Sequence, residues 1–472
     1  MIDRREIIDA ASRQGLNPHI VEKDFVLGWL LAAINAHEDL ANTWLFKGGT
    51  CLKKCFFETY RFSEDLDFTL TDPAHFDEDF LHQTFAEIGE WMYEETGIEM
   101  PAEQQEFDFY TNPRGNISCQ GKLSYRGPIS PRSGGWPRLK LDLTADERVV
   151  LPPALVPIFH PYSDAPEDGM QVLAYAYEEA FGEKIRALAE RTRPRDLYDV
   201  INLFRNAEAR PSPSVLLDVL RQKCSFKGIS VPRFTDLESH RGDLEGGWGT
   251  MLAHQLPALP PVEAFWNELP LFFQWLEGGT APVVPAAYAV SVGETVLREQ
   301  TFRLPISGAA QSFIEIIRFA AASRLCVELD YQGSTRRIEP YSLRRTQDGN
   351  VLLHAFNADK GEHRSYRVDR IGAARITNQT FVPRYAIELS PQGPVMVAPS
   401  ATRSSSGFSG RRISTRKIRS SVHSTGPTYV YECSYCGKRF SRKRRSSRLN
   451  PHKDKHGNRC SGRTGFYVDT RY

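Results

Sequence analysis

The spacing of apolar positions changes several times along the chain, and each change predicts a different element. The opening residues, MIDRREIIDAASRQG, are amphipathic and read as a first helix. Residues 20–34, IVEKDFVLGWLLAAI, are apolar almost all round, which predicts a buried helix. Asn17 and Pro18 suit its start, because Asn accepts free amides and Pro fits the first turn. At residues 44–50, WLFKGGT, a short apolar run meets two glycines, and residues 51–58 follow as a turn or two of helix. The alternation in DLDFTL, residues 65–70, predicts a strand, as does that in RLKLDLTAD, residues 138–146.

Residues 151–170 are rich in Pro and Asp and read as a connection. A long helix is expected from about 171 to 191, weakened slightly by Gly182. Pro194 opens another over residues 194–206, and more are expected near 214–224 and 262–277. Pro282 and Pro285 mark a boundary. From about residue 310 one helical pattern, FIEIIRFAAASR, precedes the strand-like runs LCVELDY, VLLHAFNAD and HRSYRVDRIGAARI. That order fits a small α+β or partly open β-barrel domain. Residues 399–428, rich in Ser, Arg and Gly, read as a flexible basic linker.

A chain of 472 residues exceeds what one hydrophobic core organises, so about two to four domains are expected. No run of about 18 uncharged apolar residues occurs, and the N-terminus lacks the apolar core of a signal peptide. A cytoplasmic protein without a membrane partner is the expectation. The net charge of +1 conceals a division: residues 403–472 carry 18 Lys and Arg against 3 Asp and Glu, leaving 41 basic and 55 acidic groups elsewhere. An acidic body with a basic tail suggests a polyanionic partner for the tail. The cysteines divide similarly. Cys51, Cys55, Cys119, Cys224 and Cys326 read as buried thiols, whereas Cys433, Cys436 and Cys460 cluster beside histidines, as metal ligands do.

The sharpest chemical signal lies in FKGGTCLKKCFFETYRFSEDLDFTL, residues 46–70. Gly48 and Gly49 remove side chains where backbone amides must approach a bulky group such as a triphosphate. Asp65 and Asp67, two apart on a strand, leave the same face. Adjacent carboxylates repel unless a cation lies between them, and Mg²⁺ prefers such oxygen ligands. In RLKLDLT the leucines point one way, so Lys140 and Asp142 point the other, and Asp142 can complete the site. Lys47 or Lys140 could offset phosphate charge. In YEEAFGEKIRALAERTRPRDLYD, Lys184 follows two glutamates, and Arg195, Asp196 and Asp199 lie within about one turn of one another. A lysine or arginine there can hold donor phosphates, and a carboxylate can accept the attacking hydroxyl's proton.

FKGGT, RFSEDLDF, KLDL and EEAFGEKIRALAERTRPRDLYD, in this order, resemble the AbiEii/AbiGii toxin family of nucleotidyltransferases over residues 5–280. The resemblance implies a DNA polymerase β-like transferase fold followed by a helical region, within an α+β multidomain chain. It implies that Gly48, Gly49 and Thr50 form the phosphate-side turn, with Ser63 as a nearby polar contact. Asp65 and Asp67 become the metal ligands, with Asp142 as third carboxylate. Lys184 matches the family's helix lysine, and Arg195, Asp196 and Asp199 match its Arg-Asp pattern, while Lys47 and Lys140 stay candidate donor contacts from the residues alone. Many members are toxins of toxin–antitoxin or phage-defence systems, and some transfer nucleotides to tRNA acceptor ends. The expected reaction is Mg²⁺-dependent transfer of NMP from an NTP to a nucleic-acid hydroxyl, with tRNA or another RNA as partner and an antitoxin or regulatory ligand as a further one. The same catalytic geometry serves protein nucleotidylation, and a transferase-like scaffold can also serve a nucleic-acid-binding regulator.

Residues 312–390 resemble a WYL domain, a small Sm-like β-barrel regulatory module, through CVELDYQG, RRIEPYSL and HRSYRVDRI. The resemblance places ligand-side residues at Tyr331, Arg337, Tyr366, Arg367 and Arg370, although Val351-Leu352-Leu353 replaces the naming tripeptide. Arg364, Arg367 and Arg370 could form a basic groove. In residues 429–472, the two-residue spacing of Cys433 and Cys436 suits one structural Zn²⁺. His452, His456 and Cys460 follow, so five candidates compete for four positions. Cys433, Cys436, His452 and Cys460 are the expected set, with His456 as the alternative, in a unit similar to a C₂H₂-type zinc finger. Seven basic residues between Lys438 and Arg448 suit phosphate contact.

Overall fold

The computed structural model describes residues 2–389 and 428–471, apart from 58–59, 113, 132–133, 281, 300–303, 305, 307–308, 443–446 and 455. The expected linker at 399–428 lies outside these residues except for its last position.

Two capped helices open the chain. α1 (Arg4–Gln14) starts on the Asp3 side chain, and α2 (Pro18–Ala36) starts on Asn17, whose Oδ1 accepts the His19 amide at 2.9 Å. α2 is buried along nearly its whole length, as its apolar pattern predicts. β1 (Trp44–Lys47) passes directly into α3 (Gly48–Cys51) and a π-helical turn, Leu52–Phe56. β2 (Asp65–Leu70), α4 (Glu78–Thr96), β3 (Gln105–Thr111), β4 (Ile117–Ser124), β5 (Arg138–Thr144), β6 (Ala154–Pro157) and β7 (Gln171–Ala174) follow. The seven strands form one mixed sheet in the order β3-β4-β5-β2-β1-β7-β6. β2 runs parallel to β5, and β1 parallel to β7.

One face of this sheet is apolar. Phe46, Leu66, Phe68, Leu139, Leu141 and Leu143 share a core with α1, α2 and α4. That burial commits the alternate positions of β2 and β5 to the opposite face. The expected helix at 171–191 begins late: residues 171–174 are β7, paired with β1 and β6, and the helix α5 spans Tyr177–Arg191. Non-local pairing decides what the apolar run alone left open.

α6 (Pro194–Arg205), α7 (Pro213–Lys227), α8 (Phe234–Glu238), α9 (Arg241–Leu252), α10 (Glu263–Trp266) and α11 (Leu269–Leu276) make the helical region. Gly182 has a packing role there, since a Cβ on it would meet Val219 Cγ1 of α7 at 2.6 Å. These helices share a second core with the next domain. That domain comprises β8 (Thr295–Val296), α12 (Ala309–Ala322), β9 (Leu325–Tyr331), β10 (Ser334–Arg345), β11 (Val351–Asn357), β12 (Glu362–Arg367) and β13 (Ile371–Thr380). Its sheet runs β12-β11-β10-β9-β13, with β8 on β10, and no pairing closes it into the expected barrel among the described residues.

The terminal unit is β throughout its described residues: β14 (Thr428–Cys433), β15 (Arg439–Arg442), β16 (His452–Lys453), β17 (Arg459–Cys460) and β18 (Gly465–Arg471). The helix of a C₂H₂-type finger is therefore not what carries His452, which sits on a short strand paired with Cys460. The unit rests against α4 through Lys438–Glu94 and Lys453–Glu90, at 3.1 and 2.9 Å, and against the segment just after it through Arg459–Glu99, at 3.0 Å. The basic tail thus turns part of its charge toward the acidic body. No described helix is long and apolar enough to cross a membrane.

Candidate active site and candidate metal centre

Strand register assembles the carboxylates. Asp67 lies beside Asp142 on β5 and beside Lys47 on β1, and Asp142 lies beside Gln120 on β4. Lys47, Asp67, Asp142 and Gln120 therefore form one row across four strands. Asp65 pairs in register with Lys140 in the neighbouring row. Gln120 Nε2 donates to Asp142 Oδ1 at 3.0 Å and fixes that carboxylate. Lys47 reaches Glu147 at 3.3 Å, which Lys227 also reaches at 3.4 Å.

The turn after β1 is shaped around this row. Gly48 has φ +82°, and a Cβ there would fall 2.1 Å from Asp67 Oδ2, so only glycine lets the backbone pass. Thr50 Oγ1 donates to the Asp65 carbonyl at 2.5 Å and ties the turn to β2. A Cβ on Gly49 would meet Arg61 Nη2 at 2.6 Å. Ser63 is half-buried at the approach to β2.

Burial, then the neighbouring Asp142, pushes Asp67 up to about 6, against the pull of Lys47 and Lys184. Asp65 is raised as well, by burial first, with Lys140 opposing and Asp142 adding. Crowded carboxylates held above their ordinary range are what a divalent cation with oxygen preference would relieve, so the donor set fits Mg²⁺.

The helical expectations resolve into a buried lock. Asp199 is fully buried and takes Arg61 Nε at 2.7 Å, Arg61 Nη2 at 2.8 Å and Lys184 Nζ at 2.8 Å. Despite its burial, Arg61 and Lys184 hold the Asp199 carboxyl far below the usual range. Asp196, also fully buried, takes Arg191 through two bonds of 2.7 and 2.9 Å. A carboxyl held low, as that of Asp199 is, makes a poor proton acceptor, so the geometry at Asp199 favours holding over the expected proton transfer, and Asp196 is clasped by Arg191 beside it. Lys184 is held by Asp199 within electrostatic reach of Asp67, and Arg195 within reach of Asp65. Arg195 Nε also donates to the Met251 carbonyl at 3.2 Å. Arg61, Arg191 and Gln120 were not among the expected site residues. Arg61 carried a signal, since it opens RFSEDLDF; Gln120 carried none, because only register brings it to Asp142.

The candidate metal centre in the tail draws together Cys433, Cys436, His452 and Cys460, their ligand atoms all within 4.8 Å of one another. Cys433 and Cys460 Sγ lie 3.8 Å apart and Cys436 Sγ lies 3.2 Å from His452 Nε2. A tetrahedron with zinc's ordinary bond lengths has edges of about 3.8 and 3.5 Å for these pairs. His452 Nδ1 lies 2.9 Å from the Asn450 carbonyl, which leaves Nε2 as the ligating nitrogen. His456 is exposed and outside the cluster. The donors fit Zn²⁺.

The ligand-side residues expected in the middle domain only partly converge. Tyr331 and Tyr366 pack edge to face at 5.2 Å, and the Arg367 amide donates to the Tyr331 hydroxyl at 3.3 Å. Arg337 pairs with Asp359 at 3.1 Å, while Arg370 is exposed. The supposed continuous strand breaks at residues 368–370, a 3₁₀ turn, and Arg364 and Arg367 pair with Glu362 and Asp369 at 2.5 and 2.6 Å. The expected basic groove is therefore not assembled.

The family described as Nucleotidyl transferase AbiEii toxin, Type IV TA system, matches residues 29–277, and the WYL domain matches residues 312–376. Among solved structures, the chain is similar to the nucleotidyltransferase toxin MenT4 of Mycobacterium tuberculosis, at 18% identity and TM-score 0.40, covering 60% of this chain and 91% of that one. It is also similar to proteasome accessory factor B/C of Arthrobacter aurescens, at 12% identity and TM-score 0.16, covering 83% and 74%. No curated protein matches the chain.

Proposed function

The chain belongs to the AbiEii nucleotidyl transferase toxin family, its transferase domain fused to a WYL domain, and from that premise we propose that it transfers a nucleoside monophosphate from an NTP to a nucleic-acid hydroxyl, with a tRNA 3′ end as acceptor. The observation that carries this reading is the register that sets Asp67 against Asp142, with Asp65 two residues away on the same face. Asp65, Asp67 and Asp142 would hold Mg²⁺, which would supply positive charge to offset the negative charge that builds on the donor during in-line transfer.

The acceptor oxygen forms a bond to the donor's α-phosphorus as the bond to the bridging oxygen breaks and pyrophosphate leaves. Asp142, oriented by Gln120, takes the acceptor's proton. The amides of Gly48, Gly49 and Thr50 face the donor phosphates, and Lys47, Lys140, Lys184 and Arg195 offset their charge. Arg61, Asp199 and Asp196 act as positioning residues, holding α5 and α6 so that Lys184 and Arg195 stay aimed at the carboxylates.

The tail, folded around Zn²⁺, contributes phosphate contacts that strengthen acceptor binding, and the WYL domain supplies regulation. A toxin or phage-defence role, with an antitoxin as partner, follows the family. The test is mass analysis of total RNA and protein after incubation with each NTP. One added nucleotide at RNA 3′ ends is expected. An adduct on protein alone would instead assign protein nucleotidylation, and no adduct with any NTP would overturn transfer.

A further inference from the structure

A cavity of about 200 Å³ lies where the helical region meets the WYL domain. Tyr60, Tyr198, Arg205 and Arg210 line it from the transferase side, and Arg324 and Tyr385 from the other. Its charges do not balance. Arg205 and Arg324 share one carboxylate, Glu268, at 2.9 and 2.6 Å. Arg210 donates only to the Phe204 carbonyl, at 2.9 and 2.7 Å, among the bonds of the described residues. Glu268 itself does not line the cavity, and the acidic residue that does, Glu208, is engaged by Arg298 at 2.6 Å. Three guanidinium groups therefore face one available carboxylate.

Arg205 exposes only 5% of its side chain, and its Nη1 has no hydrogen-bond partner among the described residues. A buried guanidinium nitrogen left without an acceptor is costly, and an anion supplies what it lacks. Arg324 adopts φ +56°, a left-handed conformation unfavourable for a side-chain-bearing residue, and burial followed by Arg205 lowers its guanidinium to about 10. The guanidinium groups are also preorganised: Arg205 stacks on Phe265 at 4.3 Å and Arg210 on Phe204 at 4.5 Å. The remaining walls combine tyrosine rings and apolar side chains, suited to a flat ring, with the polar side chains of Asn202, Asn206 and Ser323.

We propose that this interdomain cavity binds a small phosphorylated ring compound of the nucleoside monophosphate class, with the phosphate on Arg205, Arg210 and Arg324 and the base against the tyrosine and apolar wall. Binding would be felt at the transfer site. Tyr60 precedes Arg61 and Tyr198 precedes Asp199, the two residues of the buried lock, and Asp199 lies close enough to Tyr60 to help raise its hydroxyl pKa. This regulatory half rests on the transferase reading; the binding half does not.

Titration calorimetry of the full chain without divalent cation tests binding alone, with the four ribonucleoside 5′-monophosphates, inorganic phosphate and adenosine as probes. At least one monophosphate should bind, phosphate more weakly and adenosine not measurably. Arg210→Gln and Arg324→Gln should each weaken binding about tenfold, while Asp67→Asn leaves it unchanged. Thermal melts of each variant establish that it is folded. No binding by any monophosphate, equal binding by adenosine, retention in both arginine variants or loss in Asp67→Asn would each overturn the site. Unchanged NTP transfer on saturation with a bound monophosphate would overturn the regulatory half while leaving the site intact.

Discussion

Arg61 closes on Asp199 across 138 residues of sequence, with Nε and Nη2 each donating to a different carboxylate oxygen. The pair is almost completely buried, so removing one partner strands the other charge. Arg61→Ala or Asp199→Asn should each cost about 3–5 kcal/mol in denaturant unfolding at neutral pH. Because the folded Asp199 carboxyl is held below its unfolded value, its stabilising share is complete above about pH 4 and fades only as pH falls further. A loss below about 1 kcal/mol would show that the lock is not structural.

Asp67 behaves in the opposite sense. It binds its proton more tightly folded than unfolded, so without a cation the native state loses stability as pH rises from about 4 through about 6. Mg²⁺ competes with that proton. Its stabilisation, read as a rise in Tm, should be largest near neutral pH, shrink as pH falls below about 6, and be mostly lost in Asp67→Asn. A Mg²⁺ shift independent of pH and of this substitution would contradict the assignment of ligands.

The carboxylate site was legible because its parts are local. DLDFTL shows the alternation that puts Asp65 and Asp67 on one face, and the leucines of RLKLDLT dispose Lys140 and Asp142 to the other side. What spacing could not supply was the relation between these strands, and with it Gln120 as the partner of Asp142. The same limit explains residues 171–174, whose strand identity depends on pairing with distant β1. α4 was readable in principle, since Leu81, Phe85, Ile88 and Met92 recur at helical spacing. Its outer Glu90 and Glu94, which receive Lys453 and Lys438, and Glu99 just beyond it, which receives Arg459, could not be matched to the tail without the fold. The terminal ligands were legible from spacing, but their strand scaffold was not.

Gly48→Ala tests the close passage of backbone over Asp67. The added Cβ collides with the carboxylate and the positive φ resists a side chain, so RNA labelling should fall at least about tenfold and stability by about 1–3 kcal/mol. Gly15→Ala is the control, since Gly15 also has positive φ but opens on free space. It should lose stability while keeping its labelling activity. Equal labelling by wild type and Gly48→Ala would remove the proposed role of this turn.

The tail should bind one Zn²⁺ per chain through Cys433, Cys436, His452 and Cys460. His452→Ala should lower zinc content and expose residues 428–471 to proteolysis, because so small a unit has little core of its own. His456→Ala should change neither. Zinc content near zero in chelator-free protein, or a loss confined to His456→Ala, would contradict this ligand set.

The most direct measurement compares wild type with Asp67→Asn in the presence of Mg²⁺, labelled NTPs and RNA, after melts have established that both are folded. Wild type should label RNA 3′ ends, and the variant should do so about a hundredfold less or worse, since it loses a carboxylate from the centre of the row that stabilises the transferring phosphate. Equal labelling by the two proteins would contradict the account.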